Sequence, residues 1–386
     1  MEKIKEFFKK AFGALKKYTS KAYSATKSFI TEPPFHIVKR ATIATPKAML
    51  IRLCAIVSAL LLCSVLSVLL IGANPIKFLT TLFDGAFGSE RRIWKLAKDT
   101  AVLLCISIAI TPAFRMRFWN IGAEGQTLMG ALGAAAVAHY LGGKMSNGIL
   151  LLVMFVASVI IGAIWGGIPA FFKAKWNTNE TLFTLMMNYI ASGLVAYFLL
   201  LWTPSGSSVL GELPHGHMPQ IINSYFPLIV AVLVLTVLMF VYLRYAKHGY
   251  EISVVGESEN TAKYVGINVG KVIVRTMLIS GAVCGIAGFL IVSALDHSVS
   301  ETTVGGLGFT AIMASWLAKF NPIIMILSSL FIVFLRQGSN QITTTFNIAS
   351  AFPDMVVGIV LFFIIGCEFF INYQIKRKEK SNKEGA

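Results

Sequence analysis

The sequence predicts an all-α polytopic membrane protein of about ten transmembrane helices, some of them short or broken. Three observations carry this. Of 386 residues, 56% are hydrophobic and 13% charged, and the mean hydropathy is +0.72; soluble domains average about 45–50% and about 25%. Apolar runs recur along the chain at lengths near the roughly 20 residues that cross a bilayer as a helix. The 34 Lys and Arg residues also sort by side: alternating crossings from an inside N-terminus place 27 at cytoplasmic positions and 7 at outer ones, the asymmetry expected of inner loops. Soluble enzymes, fibres and disordered chains are excluded. The formal net charge of +16 then reads as membrane topology rather than as a nucleic-acid surface.

In chain order the runs are 49–73, 100–114, 119–141, 148–172, 182–202, 227–245, 277–295, 308–317, 323–335 and 355–373. The third is interrupted by polar residues, and the eighth and ninth are shorter than a straight crossing. A nine-span arrangement with 308–317 re-entrant would place the basic tail (Lys376, Arg377, Lys378) outside, so ten spans are kept. Both termini are then cytoplasmic. Ahead of the first run, Ile4, Phe7, Phe8, Ala11, Phe12 and Leu15 share one helical face among lysines. Such a segment either lies on the inner leaflet or is a solvated basic tail. The chain divides into a basic amphipathic segment (1–47), a transmembrane domain (48–374) and a basic tail (375–386). The five cysteines all lie in apolar runs without metal-type spacing and read as packing residues.

The most informative stretch is NIGAEGQ at 120–126. Its carboxylate and amides sit in a segment expected to cross the membrane, where a central charge costs about 2.5–3.5 kcal/mol on insertion scales. One reading is a broken helix beside a translocation path, since unwound backbone is tolerated only against protein or a wet cavity. The other is an interfacial helix start, with Asn120 as cap and Glu124 in the first turn. A second polar set comprises Asn177, Asn179, Glu180, Thr184 and Asn188. Its last three members fall four residues apart and share a face, which faces protein or water or bonds a neighbouring helix.

The segment 249–271 is long for a mere connector. It mixes Glu251, Glu257, Glu259 and Lys263 with Ala, Val and Gly, and predicts a short amphipathic helix between glycine turns, a docking surface for a cytoplasmic partner. Small residues at 280–288 (SGAVCGIAG) predict close helix packing. Asp296 and Glu301 fall at the outer mouth, where they either meet solute or, by default, are solvated loop charges. Catalytic signatures are missing: GINVGK at 266–271 is one residue short of a phosphate-binding loop and is followed by Val272 where a hydroxyl would hold magnesium. His215 and His217 have no third ligand type nearby, so no metal site is assigned.

Taken together, NIGAEGQ followed by Met129, Gly130 and Ala131, NETLFTLMMNYIA at 179–191, KYVGINV at 263–269, SGAVCGIAG at 280–288, and GLGFTAI at 306–312 ahead of Asn321-Pro322 resemble the permease subunits of bacterial nucleoside ABC importers, relatives of the ribose and simple-sugar permeases. The resemblance spans about 49–373. It implies a type II importer permease of the bacterial plasma membrane, without an ATPase site of its own. ATP and magnesium would be held by a cytoplasmic ATPase subunit. It also implies a second, homologous permease and a substrate-binding lipoprotein, with membrane lipids around them and no nucleic acid. The implied substrate path includes Asn120, Glu124, Gln126, Thr184, Asn188 and Phe309, and the implied ATPase-coupling loop includes Glu251, Gly256, Glu257, Glu259, Ala262 and Gly266. A simple-sugar permease, and an ion-coupled transporter using Glu124 or Glu180, are the alternatives.

Overall fold

The structure is a computed structural model describing residues 35–40, 45–72, 74–203 and 210–377. The amphipathic face at Ile4 to Leu15 and the end of the basic tail lie outside the described residues. Among the described residues there are thirteen α-helices: α1 (Thr45–Ile71), α2 (Pro75–Phe87), α3 (Glu90–Arg115), α4 (Ala123–Leu141), α5 (Asn147–Trp176), α6 (Glu180–Trp202), α7 (Phe226–Tyr245), α8 (Lys247–Glu257), α9 (Glu259–Tyr264), α10 (Val269–Ile291), α11 (Leu307–Leu317), α12 (Pro322–Phe346) and α13 (Phe352–Asn372). A π-helical turn, Val292–Asp296, continues α10.

Each of the ten apolar runs coincides with a helix. Length and composition qualify seven as complete crossings: α1, α5, α6, α7, α10 with its π turn, α12 and α13. Helix α11 has 11 residues, about 16 Å at 1.5 Å per residue and half a hydrocarbon core of about 30 Å. Helix α12 runs well past its apolar stretch, because Gln337 is buried and donates to the carbonyls of Gly85 (3.1 Å) and Arg92 (3.0 Å). Helix α2 was not expected from hydropathy, since Lys77 and Asp84 break its apolar pattern. Asn74 caps it and Pro75 starts it, a favoured opening for a helix.

The chain forms two compact units. The smaller takes residues 1–63 and 359–386. It corrects the all-helical expectation: strands β1 (Phe35–Lys39) and β2 (Tyr373–Arg377) pair antiparallel, Phe35 opposite Arg377 and Lys39 opposite Tyr373. Five residues each gave no readable alternation, but pairing satisfies backbone groups that a helix end would leave open. In the same unit Ala48 packs with Cys367 and Ile371. Arg52, inside the first apolar run, places Nε (3.0 Å) and one terminal nitrogen (2.6 Å) on Glu368 Oε1, as charges within apolar spans pair with one another.

The larger unit, residues 64–358, is built round α3, in which every residue from Thr100 to Phe114 is buried. A helix apolar on all sides belongs inside other helices, and α4, α7, α10, α11 and α12 all pack on it. Two hydroxyls of this post are satisfied locally, Ser107 donating to Leu103 O and Thr111 to Ser107 O, and Ser315 of α11 reaches Ser107 O as well, while Thr100 Oγ1 is buried with no partner among the described residues.

The small-residue stretch of α10 makes the tightest contacts. A Cβ on Gly285 would lie 2.2 Å from Ser158 O, and one on Gly281 2.2 Å from Gly162 O. Backbones of α5 and α10 therefore touch directly, the packing that association in lipid favours. Replacing Gly285 by Ala should force the two helices apart at a cost of about 1–3 kcal/mol, seen as a lower thermal midpoint of the purified chain. Gly193→Ala on α6, with no atom within 4 Å of the added carbon, is the control expected to stay unchanged.

Candidate functional site

The site begins where α3 stops. Arg117 adopts φ 61°, Arg117 N–H bonds Phe114 O, and Phe118 N–H bonds Ala113 O at 2.9 Å, a C-terminal closure that usually employs glycine. The chain is then non-helical until Ala123, so the third apolar run is broken at its entry. The N-cap of α4 is Gly122, which has no side chain to offer. Asn120 is therefore not the cap that one sequence reading made it. Its Oδ1 accepts from Gly122 N–H at 3.0 Å and from Gln126 Nε2 at 3.2 Å, while its Nδ2 donates to Gln126 Oε1 and Ser280 Oγ, each at 3.3 Å.

The rest of the closure comes from α6. Thr184 Oγ1 accepts from Ile121 N–H at 3.2 Å, and Asn188 Nδ2 donates to Ile121 O at 3.0 Å. Asn188 Oδ1 also accepts from Gly125 N–H at 2.9 Å. Two side chains four residues apart thus hold both polar groups of one unwound residue and one orphan donor of α4. Asn120 and Thr184 are fully buried, and Gln126 nearly so. The neighbouring polar residues have other duties. Asn177 ends α5 in the left-handed region, Asn179 caps α6, and Glu180 pairs with Lys173 at 3.0 Å.

Glu124 leaves this node for a second one. Its Oε1 accepts from Gly306 N–H at 2.8 Å and its Oε2 from Gly308 N–H at 2.7 Å. Gly306 is the N-cap of α11, so α4 supplies the carboxylate that the positive end of α11 favours. Phe309, in the first turn of α11, is exposed.

Beside that grip lies a cavity of about 300 Å³ lined by Lys95, Lys98 and Asp99 of α3, Asp296 after α10, Gly305, Leu307, and Arg336, Gln337 and Asn340 of α12, among others. Of the six path residues implied by the resemblance, none lines it; Glu124 touches its wall by holding the peptides on either side of Leu307. Asp296, the last residue of the π turn, is exposed and lines the cavity, so it is both solvated and placed to meet a solute. Lys98 Nζ lies 3.6 Å from Asp99 Oδ1. Gln337 spends both amide hydrogens on carbonyls, and its Oε1 is buried with no donor among the described residues. Lys95, Lys98, Asp99 and Arg336 escaped the sequence reading because they flank the second and ninth runs and looked like topology charges.

The segment 247–266 forms α8 and α9, two short helices rather than one. Ile252 and Val255 are buried, with Ala262 beneath α9. A Cβ on Gly256 would meet Arg115 O at 2.1 Å, so α8 lies directly on the C-terminal turn of α3. Glu251 is half-buried, Glu257 and Glu259 are exposed, Tyr264 is 92% exposed and Val265 is exposed beside it. Gly266, at φ 82°, closes α9, with Ile267 N–H on Ala262 O. Buried His248, missed in the sequence, ties α8 down: Nδ1 bonds Tyr242 Oη and Nε2 lies 3.4 Å from Thr276 Oγ1. Only its place at the break between α7 and α8 hinted at this. Elsewhere in the larger unit, the rings of His217 and His297 stack at 4.0 Å.

The family described as the branched-chain amino acid transport system permease component matches residues 92–365. The chain belongs to that permease family. Among its relatives, the glucose ABC transporter permease TsgB13 of Haloferax volcanii is 26% identical over 79% of this chain and 84% of its own length. The guanosine ABC transporter permease NupP of Bacillus subtilis is 26% identical over 74% and 84%. The nucleoside ABC transporter permease NupB of Lactococcus lactis subsp. cremoris is 24% identical over 88% and 98%. The matched region of this permease opens two residues into α3 and contains the broken helix, the cavity and α8–α9. A permease is a transport subunit and not an enzyme, in keeping with the missing phosphate-binding loop.

Glu124→Gln keeps one acceptor where two N–H groups converge, and one unmet buried donor costs about 1–3 kcal/mol. Amide exchange at Gly306 and Gly308 should accelerate and the thermal midpoint fall; unchanged protection at both would remove Glu124 as the clamp of α11. A second prediction concerns pH. Burial first, then the Arg275 charge, holds the His248 imidazole below its ordinary value, with Glu251 opposing. A base whose pKa is depressed on docking stabilises the docked state above the free value of about 6.5. That stability is lost as pH falls through this value. Protection factors over 247–257 should therefore fall as pH drops below about 6.5, toward the depressed value of the docked imidazole, and His248→Gln should flatten the dependence.

Proposed function

We propose that this permease is the membrane-spanning subunit of an ATP-driven importer for nucleosides, and that the solute passes through the cavity between α3, the π turn and α12. The cavity carries the reading. Its volume sits at the small end of the roughly 300–1,000 Å³ of small-molecule sites. It presents carboxylates (Asp99, Asp296), cations (Lys95, Lys98, Arg336) and amides (Gln337, Asn340) round a lining in which Lys95, Asp296 and Asn340 are exposed and Gln337 is buried. A ribose or base edge offers both donors and acceptors, and such a mixed lining meets both. Two of the relatives above are named for guanosine and nucleosides, which supports nucleoside over sugar.

The partners come from the same reading. A cytoplasmic ATPase docks on α8–α9 through Glu257, Glu259 and exposed Tyr264, a second permease completes the route, and a binding lipoprotein delivers solute at the outer face. Both termini are cytoplasmic by the charge asymmetry. Movement of α8 acts on the backbone of Arg115 and so on α3, which contains Pro112 and reaches Lys98 and Asp99 at the cavity about 24 Å away, at 1.5 Å per residue. In this mechanism Asn120, Gln126, Thr184 and Asn188 hold the hinge instead of touching solute. Glu124 and Glu180, the proton carriers of an ion-coupled alternative, are committed to α11 and Lys173.

The test is uptake of labelled guanosine and labelled glucose into vesicles containing the assembled transporter. ATP-dependent guanosine uptake is expected, with glucose transported poorly. Asp296→Asn should reduce it about tenfold or more, because hydrogen bonds to charged groups contribute about 1.5–3 kcal/mol. Uptake that survives ATP depletion and collapses with an uncoupler would overturn the reading.

A further inference from the structure

The C-terminal end of α5 and the N-terminal end of α10 border an open groove of about 510 Å³. Its lining combines Lys175, Lys271 and Arg275 with Phe171, Val274 and Leu278, and includes no acidic side chain among the described residues. The two helices touch along it. A Cβ on Gly167 would meet Leu278 Cδ2 at 2.8 Å, and one on Gly270 would lie 3.5 Å from the Ala174 methyl. Both helices are long and apolar enough to cross a membrane, so their ends lie where aromatic rings and cations meet headgroups. Trp176, 54% exposed at the end of α5, is such a ring.

The positive charge of this groove is not cancelled by carboxylates. Lys173, one turn back on α5, is spent on Glu180 at 3.0 Å. Lys271 and Arg275 form no ion pair among the described residues. Lys175 Nζ lies over the rings of Trp176 (4.7 Å) and Phe171 (5.8 Å), contacts that leave its charge in place. Arg275 bears on Tyr242 and His248 through its charge, and neither is an anion at neutral pH. Glu251 is the one carboxylate of the adjoining pocket, which it lines with Lys247, Lys271 and Arg275. The negative end of α5 and the positive end of α10 offset one another. Arg275 also stands about 9 Å along α10 from Val269, at 1.5 Å per residue, and a cation inside a spanning helix calls for a partner.

We infer that the groove binds an anionic phospholipid, its phosphate at Lys271 and Arg275 and an acyl chain along Phe171 and Leu278. Lys271 and Arg275 are exposed and one turn apart on α10, so they face one ligand together. Beyond them the uncovered stripe of α10 turns apolar, through Leu278, Ala282 and Ile286. The face of α5 does the same from Lys175 through Phe171 to Ile164 and Ile160, all exposed. A cationic head continued by two apolar tracks matches an amphiphile and not a dissolved phosphate, which would leave both tracks uncovered. The inference is independent of the solute carried and of which end of the bundle is cytoplasmic.

The experiment uses the full-length chain in vesicles, alone and in the assembled transporter, with tryptophan quenching by brominated phosphatidylglycerol compared with brominated phosphatidylcholine. Each basic side chain near an anionic surface contributes about fivefold in affinity. The wild type should prefer the anionic lipid by at least that factor, through a quenched component that disappears in Trp176→Phe. K271Q/R275Q should reduce the preference toward one, whereas K271R/R275K should keep it. If the double variant does not fold, Arg275→Gln alone should show an intermediate loss. Equal quenching by the two lipids, or a preference indifferent to K271Q/R275Q, overturns the proposal. Loss of the preference on adding millimolar inorganic phosphate at constant ionic strength also overturns it, by assigning the groove to a free anion. A preference seen in the chain alone and absent from the assembled transporter overturns it as well, by assigning the groove to a protein partner.

Discussion

An unwound peptide inside an apolar bundle has nowhere to turn for hydrogen bonds except to neighbouring side chains, and this constraint organises the larger unit. Between α3 and α4 the chain leaves helical geometry for several residues. The exposed backbone groups of Ile121, Gly122 and Gly125 are met by Thr184 and Asn188 from α6 and by Asn120 itself. Each unmet group in hydrocarbon would cost several kcal/mol. The amides are thus obligatory once the helix is broken. Ser280 of α10 joins the set, so three helices converge on one loop.

From that loop a chain of contacts leads to the cavity. Glu124 lies one residue into α4 and holds the N-terminus of α11 by two backbone N–H groups. Displacement of α4 relative to α11 must break a charge-assisted pair, the stronger class of hydrogen bond. Gly305 and Leu307 line the cavity on either side of gripped Gly306, so its wall moves with the clamp. The carboxylate shapes the site without facing it.

The sequence disclosed the spans well and the site unevenly, for identifiable reasons. Membrane helices announce themselves by long apolar runs, and each of the ten runs did coincide with a helix. Helix α2 did not, because Lys77 and Asp84 sit in thirteen residues that pack through Phe78 and Leu82. NIGAEGQ stood out because its composition is expensive in lipid, but expense does not say how the residues are used. Only the geometry distinguishes an amide that holds backbone from one that faces a solute. Conversely, Lys98, Asp99 and Arg336 looked ordinary, since charges at run ends are expected there. What places them round one cavity is the packing of α3 against α12, two helices far apart along the chain.

The end of α10 makes the same point. Through Ile291 the helix is regular; then Val292–Asp296 widens into a π turn and His297 takes φ 48°. A π turn inserts a residue into the helical count and re-aims the residues beyond it, and such turns gather at functional sites. Here it leaves Asp296 on the cavity wall and presents carbonyls to the segment after 210: Met218 N–H bonds Ser293 O, and Leu213 N–H bonds His297 O at 2.7 Å. The segment that covers this end of the bundle is therefore fastened to the same irregularity that supplies a cavity carboxylate. Were α10 regular through Asp296, the carboxylate would rotate by about 100° per displaced residue, from 3.6 residues per turn. The cavity would lose one of its two acids, and the covering segment would lose the carbonyl of Ser293 as placed. Cover and lining are set by one backbone defect, so a change to either is felt by both.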